Sequence, residues 1–202
     1  MAPETEKHVP RRQARGTQRR DRIVTAAAEL ILRDGPAAVT HRSVAAQADV
    51  PLAATTYYFT GLDDLLGAAG EQIVRGWAER AQAIGHSVTE LVAEGGVETL
   101  STRSRALLLV DAVLPPGDHG ELLGFYEHVV SAGRSPVLAA AFAQGRGELD
   151  VVIDELLDQL GARFSAVLLI AVVDGAAVTA LCEGRAVRDL AVECVTELLG
   201  GD

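Results

Sequence analysis

The chain has 202 residues, of which 49% are hydrophobic, and a formal net charge of −10. This length allows one large or two small domains, and the composition supplies enough apolar side chains for a substantial core. No apolar run approaches the ~18 residues that a membrane span requires, and the charged N-terminus lacks an apolar signal core. We therefore expect a cytoplasmic protein without a membrane partner.

The charge is distributed unevenly along the chain. Residues 1–61 carry nine basic and six acidic side chains, a balance of +3, whereas residues 62–202 carry nine basic and twenty-two acidic ones, a balance of −13. A basic end joined to an acidic body favours a protein that presents one end to nucleic acid. For residues 1–15, a disordered charged tail and a functional arm are both open interpretations.

The first predicted helix runs from about Thr17 to Arg33, after a flexible basic tail over residues 1–16. Apolar residues recur three and four positions apart along it, which is typical of an amphipathic helix. Asp34-Gly35-Pro36 should end the helix, because glycine accepts the left-handed conformation and proline cannot continue a helix.

Residues 40–59, THRSVAAQADVPLAATTYYF, predict two short helices joined by a tight turn. Thr40 is placed to cap the first of these two short helices, whose apolar face includes Val44 and Ala45. Pro51 suits the first turn of the second helix, which should reach Tyr58. Two such helices form a helix-turn-helix, whose second helix can enter the DNA major groove.

The rest of the chain also shows a helical period, without convincing β-alternation. We expect a long helix from Leu62 to about Ile84, and an all-α fold of about nine helices. The further predicted helices span residues 87–93, 97–114, 119–132, 136–160, 164–183 and 188–199.

This order of elements, together with residues 17–66, resembles the TetR family of bacterial transcriptional regulators. The positions that fit the family's helix-turn-helix pattern are Thr40, Val44, Ala45, Ala48, Val50, Pro51, Tyr58 and Phe59. Four positions depart from it. Asp49 stands where glycine is usual, Thr55 where leucine is usual, Thr56 where tyrosine is usual, and Leu62 where lysine is frequent. The resemblance implies a DNA-binding domain over residues 17–61 and a helical ligand-binding and dimerisation domain over residues 62–202.

The resemblance also implies which residues contact a double-stranded DNA operator. The Arg42 guanidinium suits guanine or phosphate, and small apolar side chains at the start of the second helix suit thymine methyl groups. There are two alternative interpretations. Arg42 is a solvated surface residue, and the tyrosines pack against the predicted helix over residues 17–33. Phe59 is expected in the core. The implied contact residues are Thr40, His41, Arg42, Leu52, Ala53, Ala54, Thr56, Tyr57 and Tyr58.

Family members usually pair through their last two long helices and bind a small molecule in the body. We therefore expect a homodimer, with a monomer built around a central apolar helix as the alternative. The surplus apolar residues of the helix over 164–183 support pairing: Val167, Leu168, Ile170, Ala171, Val178 and Leu181. An apolar or amphipathic effector fits the body. Its candidate wall residues, which could equally be core, are Trp77, Phe125, Tyr126, His128 and Phe142, with Arg134 as a possible anion partner.

Catalytic motifs are weak. The five histidines form no close helical pair, so neither a metal site nor a cofactor is predicted. Gly145-Arg146-Gly147 follows no predicted strand and is therefore no dinucleotide fingerprint. Three hypotheses follow: a ligand-responsive repressor, a DNA-binding regulator controlled by a protein partner, and an all-helical enzyme or interaction module.

Overall fold

The computed structural model describes residues 11–96 and 99–200. Within these ranges the chain forms nine α-helices and a short 3-10 turn at Pro36–Ala38, without a strand, so the all-α prediction is confirmed. The helices are α1 Arg11–Asp34, α2 His41–Gln47, α3 Leu52–Tyr58, α4 Leu62–Ala93, α5 Thr102–Val113, α6 His119–Ala132, α7 Pro136–Gln159, α8 Ala166–Glu183 and α9 Val187–Leu198.

Three helix boundaries differ from the prediction. α1 begins at Arg11 rather than near Thr17, so the predicted tail is helical over its last residues, and its first ten lie outside the described residues. α4 does not end near Ile84 but continues to Ala93, because Val88 extends its buried face along the body. α5 begins only after Ser101, whose hydroxyl caps it, and the predicted start at Val97 falls outside the described residues.

Two apolar clusters organise the molecule. The head cluster joins α1, α2 and Phe59 to the first third of α4, including Leu65 and Ile73. The body cluster combines α5 to α9 with the second half of α4. Trp77 packs against both clusters. Since α4 is 32 residues long, or about 48 Å at the helical rise, it connects the two cores as one continuous element.

α4 lies unusually close to α7. A Cβ atom added at Gly70 would lie 2.8 Å from the Ala141 Cβ atom, and one added at Gly145 would lie 2.7 Å from a Val74 methyl group. Real Cβ atoms do not approach each other so closely, so glycine is required at both positions for this helix separation.

α8 is apolar on more than one side. Ile170 and Leu181, two of the predicted pairing residues, are instead buried within the protomer's own body core. Val167 is 58% exposed, and Leu168 and Val178 are also exposed. Among the described helices, α8 alone is long and apolar enough to cross a membrane by length and composition, but its other face is packed in the body.

Candidate DNA-binding surface and ligand cavity

The start of α2 is fixed by a reciprocal cap, as predicted for Thr40. The Thr40 hydroxyl accepts a hydrogen bond from the Ser43 backbone N–H at 3.0 Å, and the Ser43 hydroxyl accepts one from the Thr40 N–H at 2.9 Å. This arrangement satisfies two backbone donors that a helix start leaves free. His41 is half-buried beside the cap, whereas Thr40 and Arg42 are exposed.

The turn between α2 and α3 explains one departure from the family pattern. Asp49 has φ +50°, the left-handed conformation that glycine accepts most easily and aspartate tolerates better than most residues. The Arg22 guanidinium donates to the backbone oxygens of Ala48 at 2.5 Å and Asp49 at 3.2 Å. α1 therefore holds the turn in place with a side chain that the sequence analysis did not single out.

α3 presents one side to solvent and one side to the head core. Leu52, Ala53, Thr56 and Tyr57 are exposed, and Tyr57 is 80% exposed. Ala54 and Tyr58 are half-buried and pack against the head cluster. The packing of Tyr58 agrees with the alternative interpretation, in which the tyrosines pack within the head. The predicted contact residues of α3 therefore separate into an outer group of four and an inner pair.

The inner side of α3 explains a second departure. Thr55 is fully buried, and its hydroxyl donates to the Leu52 carbonyl oxygen at 2.8 Å, which satisfies the polar group without a partner from another helix. Phe59 is 2% exposed, as expected for a core residue, and the Arg20 guanidinium lies over its ring at 5.2 Å. Both residues fix how far α3 projects from the head.

The body encloses a cavity of about 410 Å³ between α4 and α8, which we call the body cavity. Four aromatic residues named from the sequence meet in its wall: Trp77, Phe125, Tyr126 and Phe142. The Trp77 ring centroid lies 6.0 Å from that of Phe125 and 5.5 Å from that of Phe142. Edge and tilted contacts at these distances form a continuous aromatic surface.

One acidic group dominates the polar part of the body cavity. The Tyr126 hydroxyl donates a hydrogen bond to the Asp174 carboxylate at 2.9 Å. Burial raises the pKa of Asp174, while the hydrogen bond from Tyr126 and the charge of Arg146 oppose the rise. Arg146 also lines the cavity, but its guanidinium binds Asp150 at 2.5 Å. The cavity thus combines aromatic rings with a carboxylate that forms no ion pair among the described residues.

Two predicted wall residues lie elsewhere. His128 faces the head instead: its Nε2 atom lies 3.0 Å from the Arg33 carbonyl oxygen, beside Gly35. Arg134 is exposed in the turn between α6 and α7, and the arginine of the cavity is Arg146. Arg134 therefore lies away from the body cavity, because it follows the end of α6 at Ala132.

Asp174 was missed by the sequence analysis. Its signal was a carboxylate in the middle of α8, the most apolar of the described helices, where burying a charge costs free energy unless the charge is paired and hydrogen-bonded. No group of three or more metal-ligating side chains occurs among the described residues.

The fold and these two sites define a class of protein: a regulator with a helix-turn-helix head and an all-helical body that contains a cavity of ligand size. Residues 101–201 match the family described as "Tetracyclin repressor-like, C-terminal domain". The multidrug binding protein EbrR complexed with ethidium is 31% identical, covers 90% of this chain and 98% of its own, and superposes with a TM-score of 0.62. The chain belongs to the TetR family of transcriptional regulators.

Other solved structures agree. A TetR-family member from Streptomyces coelicolor A3 is 29% identical over 90% of this chain and 98% of its own, with a TM-score of 0.55. A TetR-family regulator from Mesorhizobium loti, at 16% identity, shares the fold with a TM-score of 0.64 over 92% of this chain and 97% of its own. No curated protein matches the sequence. Family membership makes the protein a DNA-binding transcriptional regulator rather than an enzyme.

Proposed function

We propose that this protein is a cytoplasmic repressor that binds a pseudo-palindromic operator as a homodimer and is released by a flat aromatic cation. The observation that carries the effector class is the Asp174 carboxylate in the aromatic wall of the body cavity. The head, with its boundary near Gly61, reads the operator, and the body senses the effector. Regulation by a protein partner is the alternative, which an effector-driven release from DNA would exclude.

The outer side of α3 is the proposed reading surface. Leu52 and Ala53 offer apolar contact to thymine methyl groups, while Thr56 and Tyr57 place hydroxyl groups on the same exposed side. Arg42 of α2 is exposed, and among the described residues no ion pair occupies its guanidinium. It is therefore available for a phosphate or a guanine edge.

A gel-shift assay with the DNA that flanks the protein's own gene tests this assignment. Tyr57→Ala should abolish specific binding without loss of dimer, because the side chain is largely solvated in the free protein. Val151→Ala, an exposed apolar change on α7, is the matched control. Specific binding should also weaken steeply with salt, since phosphate contacts release counterions. Full operator binding by Tyr57→Ala would remove α3 from the reading surface.

The exposed apolar side of α8 supports the homodimer. Val167, Leu168 and Val178 would remain in water in a monomer, and Gly175 between them has open space around its Cβ position. A shallow groove with α9, lined by Leu190 and Cys194, continues this surface. A second copy of the same helices would cover all of it by a two-fold axis, as self-complementary interfaces do.

Sedimentation equilibrium of two glycine variants tests the dimer. Gly175→Arg should convert the protein to a monomer and weaken operator binding, because it places a charge in the centre of the proposed interface. Gly147→Arg on the exposed side of α7, where a side chain also meets open space, should stay dimeric. A monomeric wild-type protein would contradict the proposal outright.

The effector class follows from the cavity's chemistry and from the relatives. Solved structures of EbrR hold ethidium, proflavin and malachite green, which are aromatic cations, the first two of them flat. In this chain the aromatic wall offers stacking and cation–π contact, and Asp174 offers the opposite charge. An effector acts only if it binds the spacing of heads that is incompatible with DNA more tightly than the competent spacing.

Calorimetric titration with proflavin and ethidium tests the effector class. Asp174→Asn should lower the affinity about tenfold to a hundredfold, the range for losing a charge-assisted contact in a shielded site. Asp158→Asn, an exposed carboxylate change on α7, should leave it unchanged. Both dyes should also release the wild-type protein from its operator. Equal affinity in the two variants would exclude Asp174 as the charge that selects the ligand.

A further inference from the structure

A second cavity lies at the junction between head and body, and we call it the junction cavity. It is open to solvent on one side, has a volume of about 750 Å³ and is lined by α1, α4, α6 and the loop before α6. Trp77 and Phe125 line both this cavity and the body cavity, so the two spaces adjoin at this pair of residues. Pro115, Pro116 and Leu32 add further apolar surface.

Helix-interior glycines keep the junction cavity open. Gly76 of α4 and Gly124 of α6 both line it, and a Cβ atom added at either would meet nothing within 4 Å. Glycine inside a helix costs about 0.5–1 kcal/mol relative to alanine. Unlike Gly70 and Gly145, these two glycines do not allow a close contact between helices. Their effect on the structure is to leave free space in the cavity.

An uncompensated cation borders this space. Arg80 lines the junction cavity, and within the described part of the chain no carboxylate forms an ion pair with its guanidinium. Its charged neighbour is Arg188, which already binds Asp111. Burial lowers the pKa of Arg80, and the charge of Arg188 lowers it further.

The other charged residues of the junction cavity have partners. Arg33 binds Asp34 at 2.7 Å. Glu29 accepts a hydrogen bond from Gln47, and Glu121 accepts one from the Asp118 backbone N–H at the start of α6. Arg80 is thus the charged group of this cavity that a ligand can satisfy.

We propose that the junction cavity binds an organic carboxylate with an aromatic or apolar body, whose carboxylate pairs with Arg80 and whose body contacts Trp77 and Phe125. This site is separate from the cation site proposed at Asp174 and takes ligands of opposite charge. Because α1 belongs to the head and α6 to the body, its occupant contacts both at once. It would therefore act on head orientation directly.

Calorimetric titration of the full-length protein with 2-naphthoate and its neutral counterpart 2-naphthol tests the proposal. The wild-type protein should bind naphthoate more tightly than naphthol. Arg80→Gln should weaken naphthoate binding about tenfold or more and change naphthol binding little, since only the charge-assisted contact is lost. Absence of naphthoate binding, or equal binding by Arg80→Gln, would overturn the proposal.

Two leucine variants locate the binding. Gly124→Leu should abolish binding of both compounds by filling the junction cavity, whereas Gly85→Leu, an open helical glycine that lines neither cavity, should bind as the wild type does. Asp174→Asn should leave naphthoate binding intact, and Arg80→Gln should leave proflavin binding intact. Loss of naphthoate binding in Asp174→Asn would assign the compound to the body cavity instead and refute the junction site.

Discussion

α4 meets α7 along one side and the junction with α1 and α6 along another, and its glycines have opposite surroundings on these sides. At Gly70 a Cβ atom would collide with α7, whereas at Gly76, less than two turns further on, it would meet nothing. Gly145 and Gly147 of α7 repeat the contrast two residues apart. Glycine therefore allows the two helices to approach closely at the α4–α7 contact, and it leaves free space at the exposed positions.

The contrast suggests how a signal could pass through the molecule. The contact between α4 and α7, which we call the seam, is tightly packed. It transmits displacement from one helix to the other because packed interiors deform little. The side that faces the cavities has space to fill and rings that can shift. We expect α4 and α7 to move as a unit relative to α1 and α6 when a ligand occupies either cavity.

The largest effect should come from adding a methyl group at the seam. Gly145→Ala should destabilise the protein by about 1–3 kcal/mol, because its Cβ atom would overlap the Val74 side chain and force the helices apart. Urea unfolding measures the change. Gly147→Ala is the control and should be neutral or stabilising. Equal effects at the two positions would show that the seam is looser than these distances indicate.

The next effect concerns the cavity side and its pH dependence. Since burial raises the pKa of Asp174, cation affinity should fall as the pH drops through that raised pKa, approaching about tenfold per pH unit below it. Titration with proflavin across this pH range measures it. The affinity of Asp174→Asn should stay low and nearly independent of pH.

The same group has a signature in the stability of the ligand-free protein. With a raised pKa, native Asp174 takes up its proton before the unfolded chain does, so its contribution to stability is present at low pH and is lost as the pH rises through the native pKa. The difference in unfolding free energy between wild type and Asp174→Asn should therefore change in favour of the wild type as the pH falls. A constant difference would place Asp174 in solvent.

A smaller effect is expected on the open side of α4. Gly76→Ala should stabilise the protein by up to about 1 kcal/mol, since the helix gains alanine's propensity and the methyl group meets no neighbour. Thermal unfolding detects the gain. Destabilisation would mean that the space beside Gly76 is occupied in solution.

The smallest effect concerns a position that lacks a glycine. Asp49 has φ +50°, so Asp49→Gly should relieve local strain and stabilise the head by about 0.5–1 kcal/mol. The ion pair with Arg22 spans 4.0 Å to a fully solvated carboxylate, so its loss should cost little. Removing a negative charge beside the reading surface should also tighten DNA binding, which the gel-shift assay would detect.

The sequence determined much of the head, because its signals are local. Thr40 caps α2 through a residue three positions away, and the exposed side of α3 follows from helical spacing within seven residues. The order of helices and the aromatic part of the body cavity were also predictable. The end of α4 was not, since a glycine at position 85 that would weaken a solvated helix is outweighed by burial of Val88.

Tertiary structure decided the charges of the two cavities and the room around each glycine. Asp174 meets Tyr126 across 48 residues, and His128 reaches Arg33 across 95, so no local pattern could tell which of α6's residues face the cavity. Likewise, Gly70 and Gly76 look alike in sequence. The reason is physical: backbone preference and capping act over a few residues, whereas burial, charge compensation and free volume depend on which helices pack together.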